Sequence, residues 1–435
     1  MFALLPYIVH LPIIFTISFL IKKKNCEQPL NSLFWPGLLI KAFSGILLGL
    51  LYLNYYPSGD TLYFQEYSKI LTDYFLNEPQ NFFSTILKDE YDEKLKQMIV
   101  FWEEERSMVM VKILAILNLF TFKNYWVNSL YFSLFSFIPI WLLGNYLGRK
   151  FNISKYSIAL SFLLFPSFVF WSSGVLKDTL VTGCICFILL YFLKLKLEPE
   201  KNLKHLFFIF LFLYLCYQIK FYYAVILGLT GLSYLITDFI IAKLYIKGNY
   251  SFILILPIIL FTLIIVGSFI FPSLDIDYIL FIMHHSYTTI ISQGGDFAFS
   301  DLRPELTSYV KNIPAALYIG LFRPLPWDTS EILPFITGLE NLGLLTLFIS
   351  LIYSLLKKKK NIFSPEGYSL LFYVLISASL MGFIAPNWGT LARYKSGYLM
   401  FWVLLLSQNN LLFESVVKKV QKIFASFTKL SKNNI

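Results

Sequence analysis

Apolar runs long enough to cross a lipid bilayer recur from one end of this chain to the other. A helix needs about 20 predominantly apolar residues to span the hydrocarbon core. Runs of that order lie at approximately 3–21, 33–54, 127–147, 156–173, 178–194, 205–219, 221–242, 252–271, 337–356, 367–385 and 397–413. They predict an all-α, polytopic integral membrane protein with about eleven transmembrane helices. Two of the runs, 178–194 and 205–219, are short and require tilting or local thinning of the bilayer. Composition agrees with lipid as the main solvent, since 57% of the 435 residues are hydrophobic and only 14% charged, against about 25% charged in soluble chains. No low-complexity segment or short-period repeat interrupts the pattern, and residues 1–435 read as a single transmembrane domain.

The charges sort the loops. A net charge of +10 would point to nucleic acid in a soluble protein, but here the basic residues cluster in short loops and mark topology instead. One set holds Lys22 to Lys24, Arg149, Lys150, Lys155, Lys194, Lys196, Lys201, Lys204, Lys243, Lys247, Lys357 to Lys360, Lys418, Lys419, Lys422, Lys429 and Lys432, which is 21 of the 36 Lys and Arg. The opposite set contains two long segments, 55–126 and 272–336, and most of the acidic residues. The positive-inside rule puts the basic set in the cytoplasm and both long segments outside. The N-terminus is then outside and the C-terminus cytoplasmic, in a multi-pass protein of the cytoplasmic (inner) membrane. The first apolar run is followed at once by three lysines and lacks the basic start of a cleavable signal. Ser107 to Phe120 is apolar but short and contains Lys112, so it reads as a juxtamembrane helix on the outer surface. Residues 313–322 dip into the interface similarly.

Cys26, Cys184, Cys186 and Cys216 show neither metal-ligand spacing nor a disulfide framework, and read as small apolar fillers. His284 and His285 share a segment with Asp275, Asp277, Asp296 and Asp301. Adjacent histidines diverge on a helix or strand, so no metal site is assigned there and no cofactor is named, with a divalent metal positioned by a site carboxylate left open.

The informative residues are ionisable groups at or beyond the outer ends of apolar runs, where their cost makes each a functional candidate. Asp60 follows the second run in YPSGDTLYFQEY, Lys177 and Asp178 sit in FWSSGVLKDTL, and Lys220 lies in the turn QIKFYY. Arg323 stands in LFRPLPWD, and Arg393 with Lys395 in NWGTLARYKSGY. Structural roles compete with each functional one. Asp60 suits a helix N-cap after the turn residues Pro57-Ser58-Gly59. Lys177, Lys220, Arg393 and Lys395 suit snorkelling, and Lys177 beside Asp178 suits a neutralised pair. As a group, five cations and a nearby carboxylate are the chemistry that holds a lipid (pyro)phosphate and deprotonates an acceptor hydroxyl. The partner they imply is a polyprenyl-phosphate-linked sugar or oligosaccharide within the lipid bilayer.

An Asp at the start of the first large outer loop, followed by Tyr63 and Tyr67, resembles the GT-C superfamily of membrane glycosyltransferases. FPSFVFWSSGVLKD and NWGTLARYK also look like motifs of Wzy-type O-antigen and surface-polysaccharide polymerases. The first resemblance implies juxtamembrane helices in the first outer loop and Asp60 as catalytic base. Asp178, which sits among the cations, Glu66 and Tyr63 are secondary candidates read from the sequence itself. The second implies lipid (pyro)phosphate binding by outer-face Arg and Lys, here Lys177, Lys220, Arg323, Arg393 and Lys395. Asp60 departs from the GT-C pattern in following a second helix and in being succeeded by Thr61 rather than Glu. The expectation is a glycosyltransferase of surface-glycan assembly, with an O-antigen or exopolysaccharide polymerase and a lipid-oligosaccharide flippase or transporter as alternatives. Transporters concentrate polar residues at mid-membrane, whereas here Lys41 is nearly the only such ionisable residue.

Overall fold

The computed structural model describes residues 4–25, 29–56, 59–99, 102–198, 202–246, 250–272, 275–358 and 363–433, with backbone alone at 250, 358 and 424–433. Cys26, Pro57, Ser58, Lys201, Lys247, Lys359 and Lys360 lie outside the described residues, and Lys358, Lys429 and Lys432 are described by backbone only. The described secondary structure is all helical, without a strand. It divides into two compact units, Met1–Asn152 with Phe162–Val225, and Ile153–Ser161 with Ile226–Ile435.

In the first unit α1 (Leu5–Lys24) and α2 (Phe34–Asn54) are followed by four helices of the first long segment. These are α3 (Asp60–Asn77), α4 (Phe82–Lys88), α5 (Glu93–Met98) and α6 (Glu105–Thr121). Next come α7 (Tyr125–Lys150), then α8 (Lys155–Ile158), which belongs to the second unit and passes through a π turn to α9 (Pro166–Trp171), and α10 (Lys177–Leu197). The helices α2 and α7 approach closely because α2 carries glycines on the contact face. A Cβ on Gly45 would meet the Ser133 hydroxyl at 2.6 Å, and one on Gly49 the Tyr125 ring at 2.7 Å. Small residues at such a crossing let apolar helices associate where water supplies no driving force. Phe34 closes the contact edge-on to Trp141, 4.9 Å between ring centroids.

A buried polar ladder joins α3, α6 and α7. Asn128 donates to Asn118 (2.7 Å) and Gln65 (3.1 Å), Asn118 donates to Ser68 (2.9 Å), and Thr121 donates to Asn128 (2.6 Å). Satisfied networks of this kind fix a unique packing. Residues 107–120, expected to be helical, lie within α6. Met108, Met110, Val111, Leu114 and Ala115 are fully buried, and Lys112 pairs with Asp89 at 2.5 Å. One face of the helix thus packs into protein, while Ile116, Leu119 and Phe120 are exposed.

The helix α11 (Asn202–Lys243) contains both runs 205–219 and 221–242, meeting at Lys220, whose backbone is non-helical (φ −144°, ψ 85°). It is followed by α12 (Tyr250–Ile270), α13 (Ile276–Ser292), α14 (Leu306–Phe322), α15 (Ile332–Lys358), α16 (Pro365–Ile384), α17 (Trp388–Tyr394), α18 (Leu399–Ser407) and α19 (Leu411–Asn433). The core of the second unit includes α18, every residue of which is buried. Residues 313–322 belong to α14, which packs antiparallel on α16. A Cβ on Gly320 would fall 2.0 Å from the Ala378 carbonyl oxygen, and one on Gly382 2.1 Å from that of Ala316.

Eight described helices are long and apolar enough to cross a membrane, or nine if the α18–α19 pair counts as one span. Eleven were expected, and the difference arises at three places. The runs at 205–219 and 221–242 share α11, the run at 156–173 is broken by its π turn and Pro166, and the run at 397–413 bends by 83° after α18.

Candidate functional site

The start of α3 is set by glycine. Gly59 is its N-cap, in extended conformation, and a Cβ there would fall 2.2 Å from the Tyr52 ring. Asp60 is therefore the first helical residue rather than the cap. This corrects the capping role, while leaving a carboxylate at the positive end of a helix dipole. Tyr63 is exposed and stacks on Tyr67, 6.3 Å between centroids. Asp60, Tyr63 and Tyr67 are spaced three and four apart and share one helix face, with the exposed Glu66 beside them.

The first turn of α3 lies against the start of α10. Leu62 packs on the cluster of Leu48, Tyr52 and Leu176, and the Lys177 ammonium sits 5.3 Å from the centre of the Phe64 ring. Lys177 donates to the Ser107 hydroxyl at 2.9 Å, which itself donates to Glu104 at 2.8 Å. Asp178 accepts from Lys220 at 2.5 Å, and the two side chains are 2% and 7% exposed. The non-helical backbone at Lys220 belongs to this ion pair, whose partners lie 42 residues apart in sequence. Next to Lys220, the Phe221 ring carries the guanidinium of the exposed Arg106 at 4.3 Å. Arg106 was not singled out from the sequence, where it follows Glu103-Glu104-Glu105 and merges into an acidic stretch. Helix starts of α3, α6 and α10 and the break in α11 thus bring two carboxylates, Asp60 and Asp178, into the same region as three cations.

The same unit holds a cavity of about 500 Å³ lined by residues that include Tyr74, Asn81, Asp89, Tyr91, Asp92 and Trp102. Small-molecule sites span about 300–1,000 Å³. Its polar walls are preordered: Tyr74 donates to Asp92 at 2.9 Å, and Tyr91 to Asp89 at 2.8 Å.

The remaining candidates form a group in the second unit. Arg323 makes a two-pronged ion pair with Asp328, both contacts at 2.8 Å, and lies 4.8 Å from the Trp388 ring centre. Lys395 is 1% exposed and donates to the Arg323 carbonyl at 2.7 Å. That contact makes Lys395 an internal strut rather than a snorkelling residue, because an ammonium so buried requires oxygen partners. Arg393 is partly buried, its guanidinium 5.4 Å from the Tyr394 ring. Asp296 accepts from the Trp388 amide at 2.6 Å, tying the Gly294-Gly295 turn to α17. Among the described residues, no three His, Cys, Asp or Glu side chains gather as a metal site would require. Cys184, Cys186 and Cys216 are buried free thiols.

The chain matches no protein-family model, no curated protein and no solved structure.

Proposed function

We propose that this chain is a membrane glycosyltransferase that uses a polyprenyl-(pyro)phosphate-linked sugar at the outer face of the cytoplasmic membrane, in surface-glycan assembly. The observation that carries the reading is the grouping at the helix starts of the first unit: Asp60 with Tyr63 and Tyr67 on α3, packed against the end of α10 that bears Lys177 and Asp178. Lys177 and Arg106 supply positive charge for the donor phosphate, Arg through its planar fork and Lys as a point charge. Lys220 holds Asp178, so its charge is spent on a partner within the protein.

In the proposed reaction Asp60 takes the proton of an acceptor hydroxyl. The freed oxygen bonds to the anomeric carbon of the donor, whose bond to the phosphate oxygen breaks. The leaving (pyro)phosphate keeps the electron pair, and Lys177 and Arg106 stabilise its charge.

Asp60→Asn tests the reading. A general base supplies about 10²–10⁴-fold in rate, while a neutral amide at the first helical position preserves size. The variant is expected to fold and to bind donor normally, with transfer reduced at least about 100-fold. Wild-type transfer by the variant would remove Asp60 from the mechanism, and Asp178 and Glu66 would be next in line.

A further inference from the structure

The last helix is unlike the spans before it. After α18 the chain bends by 83° into α19, and the bend is held in place by one buried side chain. Asn410 accepts from the amides of Leu412 and Phe413 at 3.0 and 3.3 Å, and donates to the carbonyls of Leu347 and Leu406, both at 2.8 Å. Ser350 of α15 donates to the same Asn410 side chain at 2.7 Å, and Ser354 accepts from the Leu411 amide at 3.0 Å. Asn409 adopts the left-handed conformation (φ 55°) that the turn demands. The elbow is therefore specified by four residues and is not a loose hinge.

Beyond it, α19 is two-faced. Leu412, Val416, Val420 and Ile423 are 40%, 49%, 44% and 54% exposed and recur every three or four residues, so they line one stripe. Lys418 and Lys422 are exposed off that stripe and Lys419 is exposed at its edge, and the sequence repeats the alternation with Phe424, Phe427, Lys429 and Lys432. A helix that carries five lysines in 23 residues would cross hydrocarbon only at high cost. A strongly two-faced helix with a basic polar side suits the plane of a membrane interface. Its neighbours belong to the basic end of the second unit: Gln421 donates to Tyr156, next to Lys155, at 2.6 Å, and the elbow packs on the half of α15 that ends in Lys357.

We infer that α19 is an anchor laid flat on the cytoplasmic leaflet, with its apolar stripe among the acyl chains and its lysines on anionic phospholipid headgroups. The choice of leaflet rests on the charge distribution of the loops; the lipid contact rests on the elbow and the stripe. Basic residues near an anionic surface each add to binding, and the gain is screened by salt.

The test uses the full chain, with Cys26, Cys184, Cys186 and Cys216 replaced, reconstituted in vesicles of phosphatidylcholine containing a quarter phosphatidylglycerol. Nitroxides placed singly at 416, 420 and 423 are expected to be reached by oxygen better than by a water-soluble nickel chelate, and those at 418 and 422 the reverse. Pure phosphatidylcholine or high salt should move the stripe labels measurably towards water. The combined K418Q, K419Q and K422Q variant should lose that lipid and salt dependence while keeping its circular dichroism. Nickel access at every position, or dipolar broadening between stripe labels of two copies, would overturn the anchor in favour of a solvated tail or a self-association face. Immersion indifferent to phosphatidylglycerol would overturn the headgroup preference.

Discussion

Asp178 and Lys220 carry the clearest energetic statement at the scale of single residues. Both are nearly fully buried and paired at 2.5 Å, so removing one leaves the other charge without its partner. Such a break costs about 3–5 kcal/mol, whereas replacing both by apolar residues is often neutral. Asp178→Asn and Lys220→Met are each expected to lower the melting temperature sharply in detergent, and Asp178→Leu with Lys220→Met to recover most of the loss. Arg323 and Asp328 give a pH-dependent counterpart. Burial opposes charge on Asp328, but the Arg323 fork and the Leu325 amide outweigh it and hold the carboxyl below its ordinary range. A carboxyl whose folded value is depressed contributes stability above its unfolded value, about 3.9, and loses it as pH falls through the folded value. Asp328→Asn should therefore flatten the acid limb of the melting-temperature profile below about pH 4, with little change in that limb's shape above it. Sequence placed these residues at helix ends but not with their partners. Lys177 and Asp178 are adjacent, and a helix turns about 100° per residue, so the two side chains diverge. The break at Lys220 supplies the true partner from α11.

Helices were legible as elements wherever an apolar run was long, and illegible where a polar contact rescues an awkward residue. Lys112 and a short apolar length set residues 107–120 apart from the spans, and Asp89, 23 residues away, accepts a hydrogen bond from the Lys112 ammonium within the protein. The run at 397–413 looked continuous because the elbow at Asn409 and Asn410 depends on contacts to α15 that no local pattern announces. The α14–α16 crossing offers the sharpest test at this scale. Gly320→Ala places a methyl 2.0 Å from the Ala378 carbonyl oxygen, so the helix backbones must separate. Overpacking of this kind costs about 1–3 kcal/mol or more, and a corresponding fall in thermal stability is expected. Gly343→Ala in α15 meets nothing within 4 Å and should be neutral or stabilising, since Ala is the better helix former by about 1 kcal/mol. Equal melting temperatures for the two variants would contradict the close crossing.

For the whole molecule, composition and the apolar runs were enough to give an all-helical chain with several helices long and apolar enough to cross a membrane, because few other structures dispose of so much apolar surface. The division into two units was not legible, since the part of α11 after its break at Lys220 runs across it without interruption and no linker marks the boundary at Val225 and Ile226. The candidate site was legible in part. Asp60, Lys177, Asp178 and Lys220 were picked out by position and share one unit, whereas Arg106 was hidden by its acidic neighbours and Lys395 proved internal. Sugar transfer and lipid-sugar translocation would both use outer-face cations, and they differ in whether a bond is made. The most direct measurement is therefore glycan transfer by the purified chain in liposomes loaded with polyprenyl-linked sugars, with product linkage and the leaflet of the lipid-linked sugar followed together. A new glycosidic bond, formed without prior movement of the donor across the bilayer, is the predicted result. Passage of the lipid-linked sugar across the bilayer with no new glycosidic bond would contradict the transferase.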